Sequence, residues 1–304
     1  MISVVVPVFN EEKVINAFNK RLITTLDDLN NKYEILYVND GSNDNTLEIL
    51  KKIKNDIKCM KIINFSRNFG HQIAITAGID NAKGDAVVVI DADLQDPPEL
   101  INEMVKQWEK GYEVVYAQRQ RRTGENILKI FTAKIFYRLI KQLTNIDIPV
   151  DVGDFRLMSR KVVDHLNRLR EKHRYVRGMV AWIGFKQIGV KYQRKPRYTG
   201  TTHYPLGKMI KFSIDGLSSF STLPLKLATF LGFASAFIAF LGIIWAFYIK
   251  FILKLAVQGW ASLVVIVFFL GGVQLISIGI LGEYIGRIYV ESKERPLYII
   301  EDIY

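Results

Sequence analysis

Gly84-Asp85-Ala86-Val87-Val88-Val89-Ile90-Asp91-Ala92-Asp93-Leu94-Gln95-Asp96-Pro97-Pro98 decides the fold, because an apolar strand runs directly into a cluster of carboxylates. Val87 to Ile90 are consecutive β-branched residues, the pattern of a strand buried on both faces of a mostly parallel sheet, and such strands carry ligands beyond their carboxyl ends. In extended chain Asp91, Asp93 and Gln95 share one parity and therefore one side. Three oxygen-bearing side chains on one edge suit a hard divalent cation, Mg²⁺ or Mn²⁺, whose shell substrate phosphates complete. The alternative is an acidic turn before a helix that starts near Pro97 and Pro98, with Asp96 as its start signal. That alternative accounts for Asp96 and leaves Asp91 and Asp93 unexplained.

The same rhythm of strand, polar loop and helix repeats upstream. Ile2 to Phe9 is an apolar run ending in Asn10-Glu11-Glu12, followed by Val14, Ile15, Phe18, Leu22, Leu26 and Leu29 at near-helical spacing. Tyr33 to Val38 ends in Asn39-Asp40-Gly41-Ser42-Asn43-Asp44 before a helix carrying Thr46, Leu47, Leu50 and Ile53. Met60 to Phe65 leads through Ser66-Arg67-Asn68-Phe69-Gly70-His71 to a small-residue helix from Ile73 to Ala82. The expectation is a doubly wound α/β domain with polar residues at each strand's carboxyl end. No loop is a GxGxxG or a P-loop, which excludes those two phosphate-binding devices.

Downstream, the strand Glu113 to Ala117 runs into Gln118-Arg119-Gln120-Arg121-Arg122. A basic amphipathic helix follows, with Ile127, Leu128, Phe131 and Ile135 on one side and Lys129, Lys134 and Arg138 elsewhere, suited to a lipid surface or to a core with a solvated face. Val150 to Met158 precedes a helix from Arg160 to Arg168, and Tyr204 to Phe220 reads as a juxtamembrane amphipathic helix. The last third holds two uncharged runs, Ala228 to Ile249 and Leu255 to Gly282, each longer than the roughly 20 residues that cross a bilayer. Trp245, Tyr248 and Trp260 lie near their ends, as interfacial anchors do.

The 304 residues carry 41 Lys and Arg against 30 Asp and Glu, a formal charge of +11. Beside two spans, that excess points to anionic lipid and phosphorylated substrates rather than to nucleic acid. The positive-inside rule places the large amino-terminal region and the tail at 291–304 in the cytoplasm. Met1 leads straight into Ile2-Ser3-Val4-Val5-Val6 with no basic n-region, so no signal peptide is expected. Cys59 is the single cysteine, which excludes an internal disulfide.

Five strings, Pro7-Val8-Phe9-Asn10-Glu11-Glu12, Asn39-Asp40-Gly41-Ser42, Arg67-Asn68-Phe69-Gly70, Asp91 through Pro98, and Gly153-Asp154-Phe155-Arg156-Leu157-Met158, resemble in order and spacing the family 2 glycosyltransferases. Arg174 to Pro224, with Gly200-Thr201-Thr202-His203-Tyr204-Pro205, resembles the bacterial polyprenyl-phosphate glucosyltransferases of the GtrB type, relatives of the dolichyl-phosphate mannose synthases. The mannose synthases tend to have Ser-Gly-Phe-Arg where this chain has Gly153-Asp154-Phe155-Arg156, which favours the glucosyl type. There is no Gln-x-x-Arg-Trp string of the processive synthases, so transfer of one sugar is favoured.

The resemblance implies a GT-A catalytic domain over 1–203, a juxtamembrane helix over 204–224, a two-helix membrane hairpin at about 228–250 and 258–284 within 225–290, and a tail at 291–304. It implies inverting transfer of glucose from UDP-glucose to undecaprenyl phosphate by a homotetramer of the bacterial inner membrane, with Mg²⁺ or Mn²⁺. Mannose, aminoarabinose or an N-acetylhexosamine as the sugar, or a membrane-anchored binding protein that turns nothing over, are the alternatives. Carried over by motif, Asp154 and Arg156 are catalytic, Asp154 as base or as organiser of Arg156 or a water. Pro7, Asn10, Glu11, Asp40, Arg67, Gly70, Asp91 and Ala92 take the nucleotide sugar, and Asp91, Asp93 and Gln95 the metal. Arg119, Arg122, Lys129 and Arg197 are candidates for the acceptor phosphate, since guanidinium and ammonium groups match phosphate oxygens; the alternative for each is a solvated surface charge. His71 and His203 read as loop or substrate-edge residues.

Overall fold

The computed structural model describes residues 1–29, 31–120, 149, 152–193, 223–252 and 259–304. The first strand, β1 (Ile2–Val8), is buried along its whole length and lies at the middle of the sheet, which is why it reads as a run of apolar residues broken by Ser3 rather than as an alternating one. It pairs in parallel with β2 (Tyr33–Asn39) on one side and β4 (Ala86–Val89) on the other, and β2 pairs in parallel with β3 (Met60–Phe65). Between them run α1 (Ile15–Asp27), α2 (Thr46–Asp56) and α3 (His71–Asn81). In α1 the residues Ile15, Phe18, Leu22 and Leu26 are buried, the stripe expected from their spacing.

Beyond β4, α4 (Leu100–Glu109) leads to β5 (Val114–Arg119), and β6 (Val152–Ser159) is inserted antiparallel between β4 and β5. Ser159 then caps α5 (Arg160–Arg168), its hydroxyl accepting from the Val162 N–H at 3.4 Å. Two further elements, α6 (Val176–Ile183) and β7 (Gln187–Tyr192), complete this edge, with β7 parallel to β5. The eight-stranded order is β7-β5-β6-β4-β1-β2-β3-β8, a GT-A-like mixed sheet with a parallel centre.

The last strand, β8 (Ile300–Ile303), is antiparallel to β3. Residues 291–304 were expected only as a tail; Pro296–Tyr304 instead belong to the compact unit that contains Met1–Met209, and the second unit is Ile210–Arg295. In that second unit α7 (Leu223–Phe247) runs into a π-helical turn at Tyr248–Ile252, and α8 spans Trp260–Ser292. Among the described residues one helical stretch, Val265–Ser292, is long and apolar enough to cross a membrane, and Ala228–Gly242 is a shorter apolar one. Phe233 and Phe268, one on each helix, are 73% and 76% exposed.

The small residues of α3 have a packing cause. A Cβ on Gly78 would stand 2.1 Å from Val5 Cγ1, so only glycine lets α3 lie this close to the central strand. Gly78→Ala is expected to destabilise the fold by about 1–3 kcal/mol despite alanine's better helix propensity. Thermal unfolding of the detergent-solubilised chain should show a lower Tm, partly restored when Val5→Ala is added, because the second change removes the methyl that clashes.

Candidate active site

Three loops at the carboxyl ends of β1, β2 and β3 are bound to one another. Asn10 takes a positive φ of 57°, donates its N–H to Ser42 Oγ at 3.0 Å and accepts the Asn43 N–H on Oδ1 at 2.8 Å. The Glu11 N–H donates to Thr46 Oγ1 at 2.8 Å. Asp40 is buried and accepts the N–H groups of Phe69 at 2.7 Å and Gly70 at 3.0 Å, so it fixes the third loop from below. Burial raises its acid above the usual carboxylate range, and those two amides oppose the rise. Gly41, at φ 65°, lets this crossing happen, since a Cβ there would meet the Arg67 carbonyl carbon at 2.5 Å. The Arg67 guanidinium lies 3.9 Å over the Phe69 ring, and Pro7 sits in β1 opposite Val38.

The carboxylate cluster follows β4, but not in extended chain. The strand ends at Val89, Leu94 has a φ of 59°, and Asp93 Oδ1 accepts the Gln95 N–H at 3.0 Å. The shared side inferred from strand parity therefore does not apply to Asp91, Asp93 and Gln95; a turn, rather than a pleat, sets their directions. Ala92 and Gln95 are buried, whereas Asp91 and Asp93 are partly accessible. Asp96 is not the helix cap that its place before Pro97 suggests: α4 begins at Leu100 with Glu99 at its N-cap, and Asp96 is fully buried, accepting the Tyr192 hydroxyl. Arg119 Nε donates to that hydroxyl at 3.3 Å. A Cβ on Gly153 would lie 2.8 Å from Arg119 Nη2, so glycine at the head of the Gly-Asp-Phe-Arg string leaves room for the guanidinium.

β6 lies antiparallel to β4, and this pairing brings Asp154 to the same edge as Asp91. Asp154 is buried, and three side chains converge on it. Arg177 donates through Nε to Oδ1 at 2.8 Å and through Nη2 to Oδ2 at 3.3 Å, Gln72 Nε2 donates to Oδ2 at 3.1 Å, and His71 Nε2 lies 3.3 Å from Oδ2. His71 Nε2 is also 3.5 Å from Asp91 Oδ1, so the imidazole spans the two carboxylates while its ring remains 47% exposed. Burial alone would raise the Asp154 acid, but Arg177 and His71 outweigh it and hold the carboxyl well below the usual range. Burial likewise works against a charged His71, yet Asp154 and Asp91 lift it to about 9. Asp91 goes the other way: burial, opposed by His71 and reinforced by Asp154, Asp93 and Asp96, pushes it up to about 6.

Asp154 does not organise Arg156. That guanidinium is buried beneath it, donating to the carbonyl oxygens of Gly153 at 3.0 Å and Asp154 at 3.4 Å, and burial lowers it to about 10. The partner of the carboxylate is Arg177, on α6, which also donates to the Val152 carbonyl at 2.8 Å. Arg177, Gln72 and Tyr192 are the site residues that sequence reasoning missed. Arg122, Lys129, Arg197 and His203 lie outside the described residues, as do the segment expected as a basic amphipathic helix and all but the last two residues of 204–224.

Among the described residues no three His, Cys, Asp or Glu side chains form a ready-made metal cage. Two carboxylates with a neutral oxygen donor suffice for a cation that completes its shell with phosphate and water. Asp91 fits that requirement, because its buried Oδ1 accepts no hydrogen bond among the described residues and its neighbours crowd it with negative charge that a cation would relieve.

A parallel-centred α/β sheet whose strand ends carry an Asn-Asp-Gly-Ser loop, an Asp-x-Asp turn and an opposed buried aspartate defines a GT-A-like transferase. The chain belongs to glycosyl transferase family 2, whose model matches residues 3–166. It is 54% identical to the uncharacterised glycosyltransferase YkcC of Bacillus subtilis, over 99% of this chain and 94% of that one. It is 42% identical to the bactoprenol glucosyl transferase of Shigella phage SfV, over 99% and 98%. The prophage bactoprenol glucosyl transferase homolog of Escherichia coli is 41% identical over 99% of both chains.

Proposed function

We propose that the chain transfers glucose from UDP-glucose to undecaprenyl phosphate, giving a β-linked lipid glucosyl phosphate and UDP. The observation that carries this reading is the meeting of Asp91 and Asp154, with His71 between them, beside the three bound loops that would take the nucleotide. Names of relatives that align end to end with this chain supply the glucosyl group and the lipid acceptor.

An oxygen of the acceptor phosphate attacks the sugar's C1 as the bond from C1 to the UDP oxygen breaks, and that bond's electron pair leaves with UDP. A phosphate monoester has a second pKa of about 6, so the nucleophile is already ionised near neutral pH and needs orientation more than a base. Asp154, held low by Arg177 and His71, is a poor proton acceptor and a well-fixed anion, which suits an orienting role. Arg119, with Arg122, Lys129 and Arg197, would hold the acceptor phosphate by guanidinium and ammonium contacts. Mg²⁺ or Mn²⁺ on Asp91, Asp93 and Gln95 would offset charge developing on the departing diphosphate.

In the same reading the protein is integral to the bacterial inner membrane. Helices at about 228–250 and 258–284 anchor it, the catalytic domain and residues 291–304 are cytoplasmic, and it assembles as a homotetramer. A donor panel tests the sugar. Purified chain with undecaprenyl phosphate, Mg²⁺ and labelled UDP-glucose, UDP-galactose, UDP-N-acetylglucosamine or GDP-mannose should yield lipid-extractable label with UDP-glucose at least tenfold above the others, a margin a few pocket hydrogen bonds supply. Equal or greater transfer from GDP-mannose would reject the glucosyl assignment.

A further inference from the structure

We infer that strand β8 is a positioning element of the donor site, with Glu301 setting the direction of a side-chain hydrogen-bond relay that ends on the backbone of Asn10. Glu301 accepts from Asn64 Nδ2 at 2.9 Å, Asn64 Oδ1 accepts from Asn39 Nδ2 at 2.7 Å, Asn39 Oδ1 accepts from the Ser42 hydroxyl at 2.6 Å, and Ser42 Oγ accepts the Asn10 N–H at 3.0 Å. The relay crosses β8, β3 and β2 and ends in the loop after β1. Asn39 and Asn64 are buried, so neither amide can exchange its partners for water.

The direction matters because an asparagine amide can face either way, whereas an ionised carboxylate can only accept. With Glu301 as terminal acceptor, Asn64 must present Nδ2 to it and Oδ1 to Asn39. Asn39 must then present Nδ2 to Asn64 and Oδ1 to Ser42. The Ser42 proton is thereby committed to Asn39, which leaves its lone pairs for Asn10. Without Glu301 both amides can reverse, and the Ser42 hydroxyl loses its fixed orientation.

The pairing of β8 with β3 is built to deliver this carboxylate. Register runs Asn64 with Asp302 and Phe65 with Ile300, so Glu301 is the extra residue of a bulge, a device that re-aims one side chain. The flanking chain is fixed on both sides. Tyr298 stacks on Phe65 with ring centroids 5.3 Å apart and donates its hydroxyl to Asp80 at 2.8 Å, while Tyr304 and Ile62 exchange backbone hydrogen bonds at 2.9 and 3.0 Å.

This inference rests on the reading of the Asn10 and Ser42 loops as the nucleotide subsite. Its test is UDP titration by calorimetry, with Mg²⁺, on the full-length chain in detergent. Glu301→Ala should weaken UDP binding about three- to tenfold, the worth of one relayed hydrogen bond. Glu301→Gln, whose carbonyl can still accept, should recover most of it, and Asp302→Ala, on the same strand but outside the relay, should bind as wild type. Unchanged binding by Glu301→Ala overturns the inference, as does an equal loss in Asp302→Ala, which would reduce β8 to edge-strand stability. A wild-type chain that binds no nucleotide removes the donor-site reading and this inference together, whereas wild-type binding with an indifferent Glu301 removes only the inference.

Discussion

Asp154→Asn should lower kcat by about 10²–10³-fold while the Kd for UDP changes little, because the substitution removes charge without removing volume. The carboxylate is buried and bound by Arg177, Gln72 and His71, so it is a fixed charge that water does not screen. Loss of a comparable preorganised electrostatic contact costs turnover on this scale. An asparagine can still accept from one of those groups, but it leaves the Arg177 and His71 cations without their counter-charge, opposite an acceptor whose phosphate they would then grip too early. The acceptor KM is therefore expected to fall along with kcat, a combination that simple loss of folding would not give. Steady-state kinetics over an undecaprenyl phosphate series, with UDP binding measured in parallel, checks both. Wild-type kcat in this variant would remove Asp154 from the reaction.

Asp93→Ala and removal of divalent metal should produce the same loss, about 10³-fold or more, and should not add. Asp91 carries a buried oxygen that accepts no hydrogen bond among the described residues, in a neighbourhood where burial and three other carboxylates already push its acid up to about 6. A cation bound there removes that repulsion, and Asp93 is the adjacent carboxylate with access to it. If both treatments remove one metal, EDTA should cost the wild type what Asp93→Ala costs it, and should cost the variant nothing further. Turnover measured with EDTA, then with Mg²⁺ or Mn²⁺ restored, gives the comparison. An EDTA-insensitive wild type would exclude the metal, and an EDTA-sensitive Asp93→Ala of normal activity would move it to other ligands.

The parts of this molecule that sequence makes legible are those fixed by local chemistry. Mostly apolar runs such as Ile2–Val8 and Met60–Phe65 announce strands inside the sheet, and the polar strings after them announce the loops at their carboxyl ends. Gly153-Asp154 was legible as a site string because it follows a strand pattern and resembles a family motif. Arg177 was not, since Arg168, Arg170, Lys172 and Arg174 precede it in a segment without clear periodicity, and only the docking of α6 beside Gln72 turns it toward Asp154.

Asp96 misled for a related reason. An aspartate before Pro97 carries a genuine helix-start signal, and a tertiary contact from Tyr192, almost a hundred positions away, overrides it. β8 was illegible because its four residues, Ile300–Ile303, pair with β3 across most of the chain, and nothing local distinguishes them from an exposed tail. The turn at Asp91 to Gln95 shows the limit of periodicity at a strand's end. Extended parity put Asp91, Asp93 and Gln95 on one side, and the positive φ of Leu94 replaces that geometry with a turn.

A single displacement at the sugar's C1 by a lipid phosphate at Asp154 would invert the anomeric carbon, so the configuration of the product reports on it. Lipid-linked product made by the purified chain from α-linked UDP-glucose, undecaprenyl phosphate and Mg²⁺ should show, by proton NMR coupling at C1, a β-linked glucosyl phosphate. An α-linked product, which requires two displacements or attack from the leaving-group side, would contradict the account.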